Sequence, residues 1–383
     1  MSHVEAFQKI DDLKETYFDI WEKVTDLESP TSYKPGVDAV GNFFVAMAKV
    51  RGWKVEICPQ EVSGDVVCIT MNPDAAQKPL CLSGHMDTVH PLGSFGAKPA
   101  RRDAEKIYGP GVTDCKGGIV AGFLAMDALH QCGFRQRPIQ MLLQSDEETS
   151  SRGSKKATIG YICEKAIQGE AFLNLETQTA GRATISRKGV ATYQFDILGI
   201  EGHTSRCVTE GAGAIADAAH KIIELEKLKD DQGITCVCSL ISGGSAPNTI
   251  PGHCTFTANF RFATNAQFQW IEAFVQQLAE TVHVPGCSCS FAIISQRPAM
   301  EELERNQLLL EKVNDIFAKT GLPALTPIMQ RGGSDAANVT AYGATCLDNL
   351  GTQGGKSHNI NEFAWLESLP EAAKRIAAIA YYL

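Results

Sequence analysis

"SRKGVATYQFDILGIEGH", residues 186–203, is where the chain changes texture. From here the pattern reads strand 189–200, helix 211–227, strand 234–243, strand 254–262, helix 266–283 and strand 287–296. A βαββαβ run of this kind is self-contained and predicts a small antiparallel sheet backed by two helices. Before it, "VVCITM" (66–71), "LCLSGHM" (80–86), "PIQMLLQSDEE" (138–148) and "GEAFLNLET" (169–177) read as strands. Between them, "GGIVAGFLAMDALHQCG" (117–133) and "IGYICEKAI" (159–167) read as helices. That alternation predicts a layered α/β sheet with functional groups at its strand ends. The first pattern resumes after "RPAM" (297–300) with a helix over 301–320, a loop "MQRGGSDAANV" (329–339), a strand in "TCLDNLG" (345–351) and a helix over 368–382. The expected fold class is therefore α/β. A discontinuous large domain, 1–187 and 299–383, would hold a mixed central sheet flanked by helices, with a ferredoxin-like βαββαβ lid, 188–298, inserted into it.

Composition narrows the function classes. With 383 residues, 44% of them hydrophobic, the chain can bury a large core and should form two domains or more. A net charge of -9 without a basic arm argues against a nucleic-acid or membrane-surface binder. The first residues, "MSHVEAFQKIDDLKETYFDIWEKV", read as an amphipathic helix and lack the apolar core of a signal peptide. No apolar run is long enough to span a bilayer. Thirteen cysteines scattered through apolar runs, with no repeated C-x-x-C, suggest buried free thiols in a reducing compartment. A cytoplasmic protein is expected.

The chemistry begins at "LSGHMDTVHP" (82–91). Side chains at i and i+2 of an extended chain share a face, so the carboxylate of Asp87 can take the second N–H of His85. Metal-ligating histidines are commonly oriented in this way. Three acidic clusters follow: Asp114 in "IYGPGVTDCKGGIVAG", Glu147 and Glu148 in "MLLQSDEETSS", and Glu176 in "AFLNLET". His358 lies in the Gly-rich "GTQGGKSHNINEF". Taken singly, each has an ordinary reading as a helix cap, a solvated strand-end acid or a surface loop. Together, two histidines and three carboxylates can hold two divalent metals, with one carboxylate bridging. Neighbours on one strand point to opposite faces, so one of Glu147 and Glu148 would bind metal while the other serves as general acid or base. His90 is expected to be a solvated loop histidine. The "GGIVAG" segment lacks the Lys-Ser/Thr ending of a phosphate loop.

The order H-x-D, "GPGVTDCKGG", "DEE", strand-end acid and late His resembles a di-zinc metallopeptidase and amidohydrolase family. Its members include bacterial glutamate carboxypeptidase, tripeptidase T, acetylornithine deacetylase and succinyl-diaminopimelate desuccinylase. The resemblance covers nearly the whole chain, and it implies that the large domain is catalytic and that the lid can mediate dimerisation. It implies two Zn2+ per chain, with Co2+ or Mn2+ as possible substitutes. Asp114 would bridge; Glu148 and His358 would complete one metal site, and His85 and Glu176 the other. Glu147 would be the general base and Asp87 the partner of His85. The Asp114–Cys115 peptide bond is expected to be cis, with Cys115 taking no catalytic part.

The lid carries further family-like positions. His203 in "GIEGHTSRC" would stabilise the oxyanion, from the partner subunit in dimeric relatives. Asn248 and Arg261 in "GGSAPNTIPGHCTFTANFRF", Arg297 in "SQRPAM" and Arg331 in "QRGGSDAAN" would bind substrate. An arginine fork suits a terminal carboxylate. The expected activity is a glutamate-carboxypeptidase-like exopeptidase or amidohydrolase acting on small peptides or N-acyl amino acids with a free carboxylate. The alternative within the fold is a deacylase of the acetylornithine or succinyl-diaminopimelate type. A non-catalytic binding protein on the same fold is a third reading. A homodimer through the lid is expected, with neither nucleic acid nor membrane as partner.

Overall fold

The computed structural model describes residues 2–383, and the chain forms two compact units. The large unit comprises the residues up to Ser186, Glu302–Met329 and Ser334–Leu383. Its main sheet has six strands in the spatial order Lys54–Cys58, Val66–Met71, Ile139–Gln144, Leu80–His85, Ala171–Asn174 and Cys346–Leu347. The last four run parallel, while Lys54–Cys58 and Val66–Met71 add antiparallel pairings. The sheet is mixed, as expected. Val66–Met71 and Leu80–His85 are buried along their whole length, as strands covered on both faces must be.

The helices Lys116–Gln131, His3–Asp26 and Ser368–Tyr382 form much of the layer beside the sheet, with Trp21, Phe123 and Ile379 fully buried among them. The first helix starts at a reciprocal cap: Ser2 accepts from the Glu5 N–H, and the Glu5 carboxylate accepts from the Ser2 N–H. Glycines of "GGIVAG" serve close packing. A Cβ on Gly118 would sit 1.9 Å from the Leu175 carbonyl oxygen, so only glycine lets the helix approach the strand end there. A smaller four-stranded sheet includes Lys106–Tyr108 and Phe363–Trp365. It brings the "GPGVTD" and "SHNINEF" segments side by side.

The small unit comprises Arg187–Glu301 with Gln330–Gly333. It has the expected βαββαβ order, with antiparallel strands arranged Thr235–Gly243, His253–Phe262, Gly189–Leu198, Ser288–Arg297. Burial alternates residue by residue along Gly189–Leu198, as it does where one face of a sheet is covered and the other is not. Helices Ala214–Glu226 and Asn265–Glu280 pack on the covered face, where the rings of Phe195 and Phe256 stack at 4.6 Å. Residues 330–333, read from sequence as part of the large domain, join this unit. Arg187 Nη1 donates to the Gly332 carbonyl at 2.9 Å, and Arg331 pairs with Asp231 at 3.1 Å. Among the described residues no helix is long and apolar enough to cross a membrane.

Candidate metal centre

Four parallel strands of the large unit deliver their carboxyl ends to one edge, which is where ligands bind in α/β sheets. His85 is the last residue of Leu80–His85, in register with Gln144 at the end of the neighbouring strand. Its Nδ1 lies 3.0 Å from the backbone carbonyl of Asp87. A carbonyl can only accept, so Nδ1 carries the proton and Nε2 is the atom presented to the cluster. The carboxylate of Asp87 stands farther off, 3.5 Å from Nδ1. This corrects the expected pairing: the carbonyl, not the carboxylate, takes the ring N–H.

The Asp87 carboxylate is instead engaged elsewhere. It accepts from the backbone N–H groups of Glu147 (3.1 Å) and Glu148 (3.2 Å) and from the Thr31 hydroxyl (2.6 Å). The strand Ile139–Gln144 has ended before these acids, and Glu147–Thr149 forms a single 3-10 turn. A turn leaves its first N–H groups without partners of its own, and Asp87 satisfies two of them. Glu147 and Glu148 are thus separated by turn geometry rather than by the two faces of a strand.

Asp114 sits at the centre. Its Oδ1 is 3.1 Å from His85 Nε2, and its Oδ2 is 3.3 Å from His358 Nε2. Glu176 comes within 3.6 Å of His85 Nε2, and Glu148 within 3.2 Å of His358 Nε2. Each oxygen of one carboxylate therefore faces its own histidine–acid pair. A zinc-type ion holds N and O ligands at about 2.0–2.1 Å in a tetrahedron, which puts the ligand atoms about 3.3 Å apart. The observed separations fit that spacing on both sides. Ligand atoms of His85, Asp114 and Glu148 also lie within 4.8 Å of one another. Cys115 groups with His85 and Glu176, but its Sγ donates to the Leu175 carbonyl at 3.4 Å and burial pushes the thiol well above its usual range. The Asp114–Cys115 bond is cis.

Electrostatics matches the geometry. Burial disfavours charge on His85, but Cys115, Glu176, Asp114 and Asp87 outweigh it and push the imidazole up. His358 is raised to about 10 by its bonds to Asp114 and Glu148. Burial works against charge on Asp114 as well, yet His358 and His85 hold its carboxyl far below the ordinary range. Burial leaves Glu148 at about 7 despite His358 and His85, and lifts Glu176 well above a normal carboxyl. The charge of Glu147 adds to both shifts, so this acid lies close to the same cluster. Raised imidazoles and raised carboxyls hold protons in this pocket, and divalent cations bound there would displace them.

Two residues here were read otherwise or overlooked from sequence. His90 is buried rather than solvated, with its Nε2 3.0 Å from the Glu362 carboxylate. Glu362, in the same quoted segment as His358, is 1% exposed. A lone acid between asparagine and phenylalanine offered little to mark it.

In the small unit, the pairing of Gly202–His203 with Thr249–Ile250 puts His203 beside Asn248, whose carbonyl accepts from the Thr204 N–H at 3.1 Å. His203 is exposed, and its Nδ1 bonds the Ser205 hydroxyl at 2.8 Å. Arg261 and Arg297 both register against Val190, so they flank it on one face at one end of the sheet. Burial, with Arg297 nearby, lowers Arg261 from the usual guanidinium range. Arg331 is exposed on its pair with Asp231.

Comparisons agree with this layout. The model of a family described as peptidase family M20/M25/M40 matches residues 81–382. Carboxypeptidase G2 of Pseudomonas sp. (strain RS-16) is 26% identical over 371 residues, covering 95% of this chain and 88% of that protein. Succinyl-diaminopimelate desuccinylase of Verminephrobacter eiseniae is 27% identical over 321 residues, covering 79% of this chain and 77% of that one. The fold of a tripeptidase from Staphylococcus aureus superimposes with a TM-score of 0.79 at 19% identity, covering 96% of this chain and 98% of that chain.

Proposed function

The chain belongs to peptidase family M20/M25/M40 and is a metal-dependent hydrolase, and from that premise we propose that it cleaves the amide bond of small peptides or N-acyl amino acids bearing a free carboxylate. The observation that carries the reading is the split of Asp114, one oxygen toward His85 and Glu176, the other toward His358 and Glu148. Two divalent ions held there would polarise the amide carbonyl and lower the pKa of a water. We assign zinc to both positions, on the fit of the ligand spacing, with Co2+ or Mn2+ as substitutes.

The chain's own residues supply the rest. Glu147 takes the proton from the attacking water and returns it to the leaving nitrogen. Asp87 holds the turn that presents Glu147 and Glu148. Arg261 and Arg297 are assigned to the substrate carboxylate, and His203 with Asn248 to the tetrahedral oxyanion. Arg331, engaged by Asp231 at the surface, has a weaker claim to the carboxylate. His203 and Asn248 lie beyond the end of the sheet opposite Arg261. The eight residue steps from His253 to Arg261 along that strand span about 27 Å at ~3.4 Å per step. One small substrate cannot touch both ends of the same copy, so we assign His203 and Asn248 to the site of a second copy, in a homodimer formed through the small unit. No disulfide joins the described cysteines, in keeping with the cytoplasmic location we propose.

Similarity to a desuccinylase favours deacylation of an N-succinyl or N-acetyl amino acid as the second reading. A screen of dipeptides and N-acyl amino acids, each assayed with Zn2+, Co2+ and Mn2+, decides between them. Hydrolysis should require metal, and about two ions per chain should appear by elemental analysis. Full amide hydrolysis after exhaustive chelation would refute the assignment.

A further inference from the structure

Glu362 is 1% exposed and lies four residues beyond His358, yet none of the roles assigned above uses it. Its carboxylate accepts from four donors. Oε1 takes the backbone N–H of Thr113 (2.9 Å) and of Asp114 (3.1 Å). Oε2 takes the backbone N–H of Gly111 (3.1 Å) and the Nε2–H of His90 (3.0 Å). A carboxylate has about four lone-pair sites, so its accepting capacity is filled. The donors come from two segments: Gly111–Asp114 carries the shared ligand, and His90 closes the "HMDTVH" stretch that begins at His85. Glu362 itself ends the stretch that begins at His358. One buried carboxylate thus ties together the three segments that bear His85, Asp114 and His358.

We propose that Glu362, clamped by His90, is the positioning residue of the metal centre, fixing the backbone of Asp114 so that its two oxygens face the two histidines. The inference rests on the two-metal reading given above. Fully occupied, a carboxylate of this kind cannot rotate, and the N–H of Asp114 can point nowhere else. Glu362→Gln keeps the shape but turns one acceptor oxygen into an NH2 group facing N–H donors. That repulsion would move the 111–114 segment, and Asp114 with it, while every ligand side chain keeps its chemistry.

The test compares wild type, Glu362→Gln and His90→Phe. Zn2+ is titrated into metal-free protein against a chelator, the visible spectrum of Co2+-loaded protein is recorded, and melting is measured without metal. Loss of such an outer partner typically weakens metal binding about 10–100-fold. Glu362→Gln should show a weakening in that range, an altered Co2+ spectrum, a lower kcat and an unchanged KM. His90→Phe, which removes one donor and leaves the carboxylate, should shift Zn2+ affinity and the Co2+ spectrum in the same direction by less. If Glu362→Gln does not fold, the His90→Phe comparison decides alone. Wild-type Zn2+ affinity and Co2+ spectrum in the folded variants would overturn the proposal, as would lower melting with metal binding intact. A wild-type chain that binds no Zn2+ would overturn both this proposal and the two-metal reading. Variants equal to a metal-binding wild type would overturn this proposal alone.

Discussion

His85 and His358 lie far apart in the chain, yet both rings reach the same carboxylate in the large unit. In the small unit His203 and Arg261 are much closer in sequence, yet His203 lies on a two-stranded ribbon beyond one end of the four-stranded sheet and Arg261 near its other end. Strand direction is one cause, and the small antiparallel sheet that pairs Lys106–Tyr108 with Phe363–Trp365 is another. Parallel strands joined by crossovers all present their carboxyl ends on one edge, so loops from remote segments gather there. An antiparallel sheet sends successive strand ends to alternate edges, so it scatters neighbouring polar residues. Converging charges suit a metal centre, whereas scattered ones suit contacts shared between copies.

The comparison can be broken most sharply at Glu147. If it is the base inside the converged cluster, Glu147→Gln should lower turnover about 10²–10⁴-fold. Metal content should stay near that of wild type. Loss of metal instead would move Glu147 into the ligand shell.

The scattered half of the comparison rests on His203. Removing an oxyanion donor typically costs about 10²–10³-fold in kcat, and His203→Ala should fall in that range. Mixed with Glu147→Gln protein under subunit exchange, it should regain part of the activity. Such a mixed dimer holds one site with an intact Glu147 and a donated His203. No recovery despite demonstrated exchange would confine His203 to its own chain.

A smaller effect concerns pH. Glu148 sits at about 7 and His358 at about 10, both raised. A raised group keeps its proton up to its own pKa, and a metal must displace that proton. Apparent Zn2+ affinity should therefore fall as pH drops below about 10 and more steeply below about 7, by roughly tenfold per unit for each proton displaced. Competition titrations across that range would check this. A slope that does not steepen below about 7 would show that Glu148 gives up no proton to the metal, leaving the position beside His358 without its acid.

Much of this was legible before any coordinates. The βαββαβ run and its insertion follow from periodicity and turn residues, and the placing of acids after apolar strands marks the candidate ligands, whose roles the family resemblance implies. Other elements were not legible. Lys34–Val50 is a helix despite Pro35, Gly36 and Gly41, residues that speak against one in an interior. Pro35 falls in its first turn, where no N–H is needed. Gly36 is required by packing, since a Cβ there would meet the Glu28 carbonyl at 2.2 Å. Asp335–Tyr342, expected as loop, is a helix started by Ser334, whose side chain accepts from the Ala336 N–H.

Residue types and their order determined by themselves that this chain carries a two-histidine, three-carboxylate set at strand ends, because metal chemistry restricts which side chains can serve. Only the tertiary structure decided who orients whom. Asp87 gives its carboxylate to a turn and its carbonyl to His85, and Glu362 gathers N–H groups from segments far from it in the chain. A buried carboxylate takes whichever donors the fold leaves unsatisfied around it. Those donors are set by the paths of several segments at once, which no local pattern in the sequence encodes.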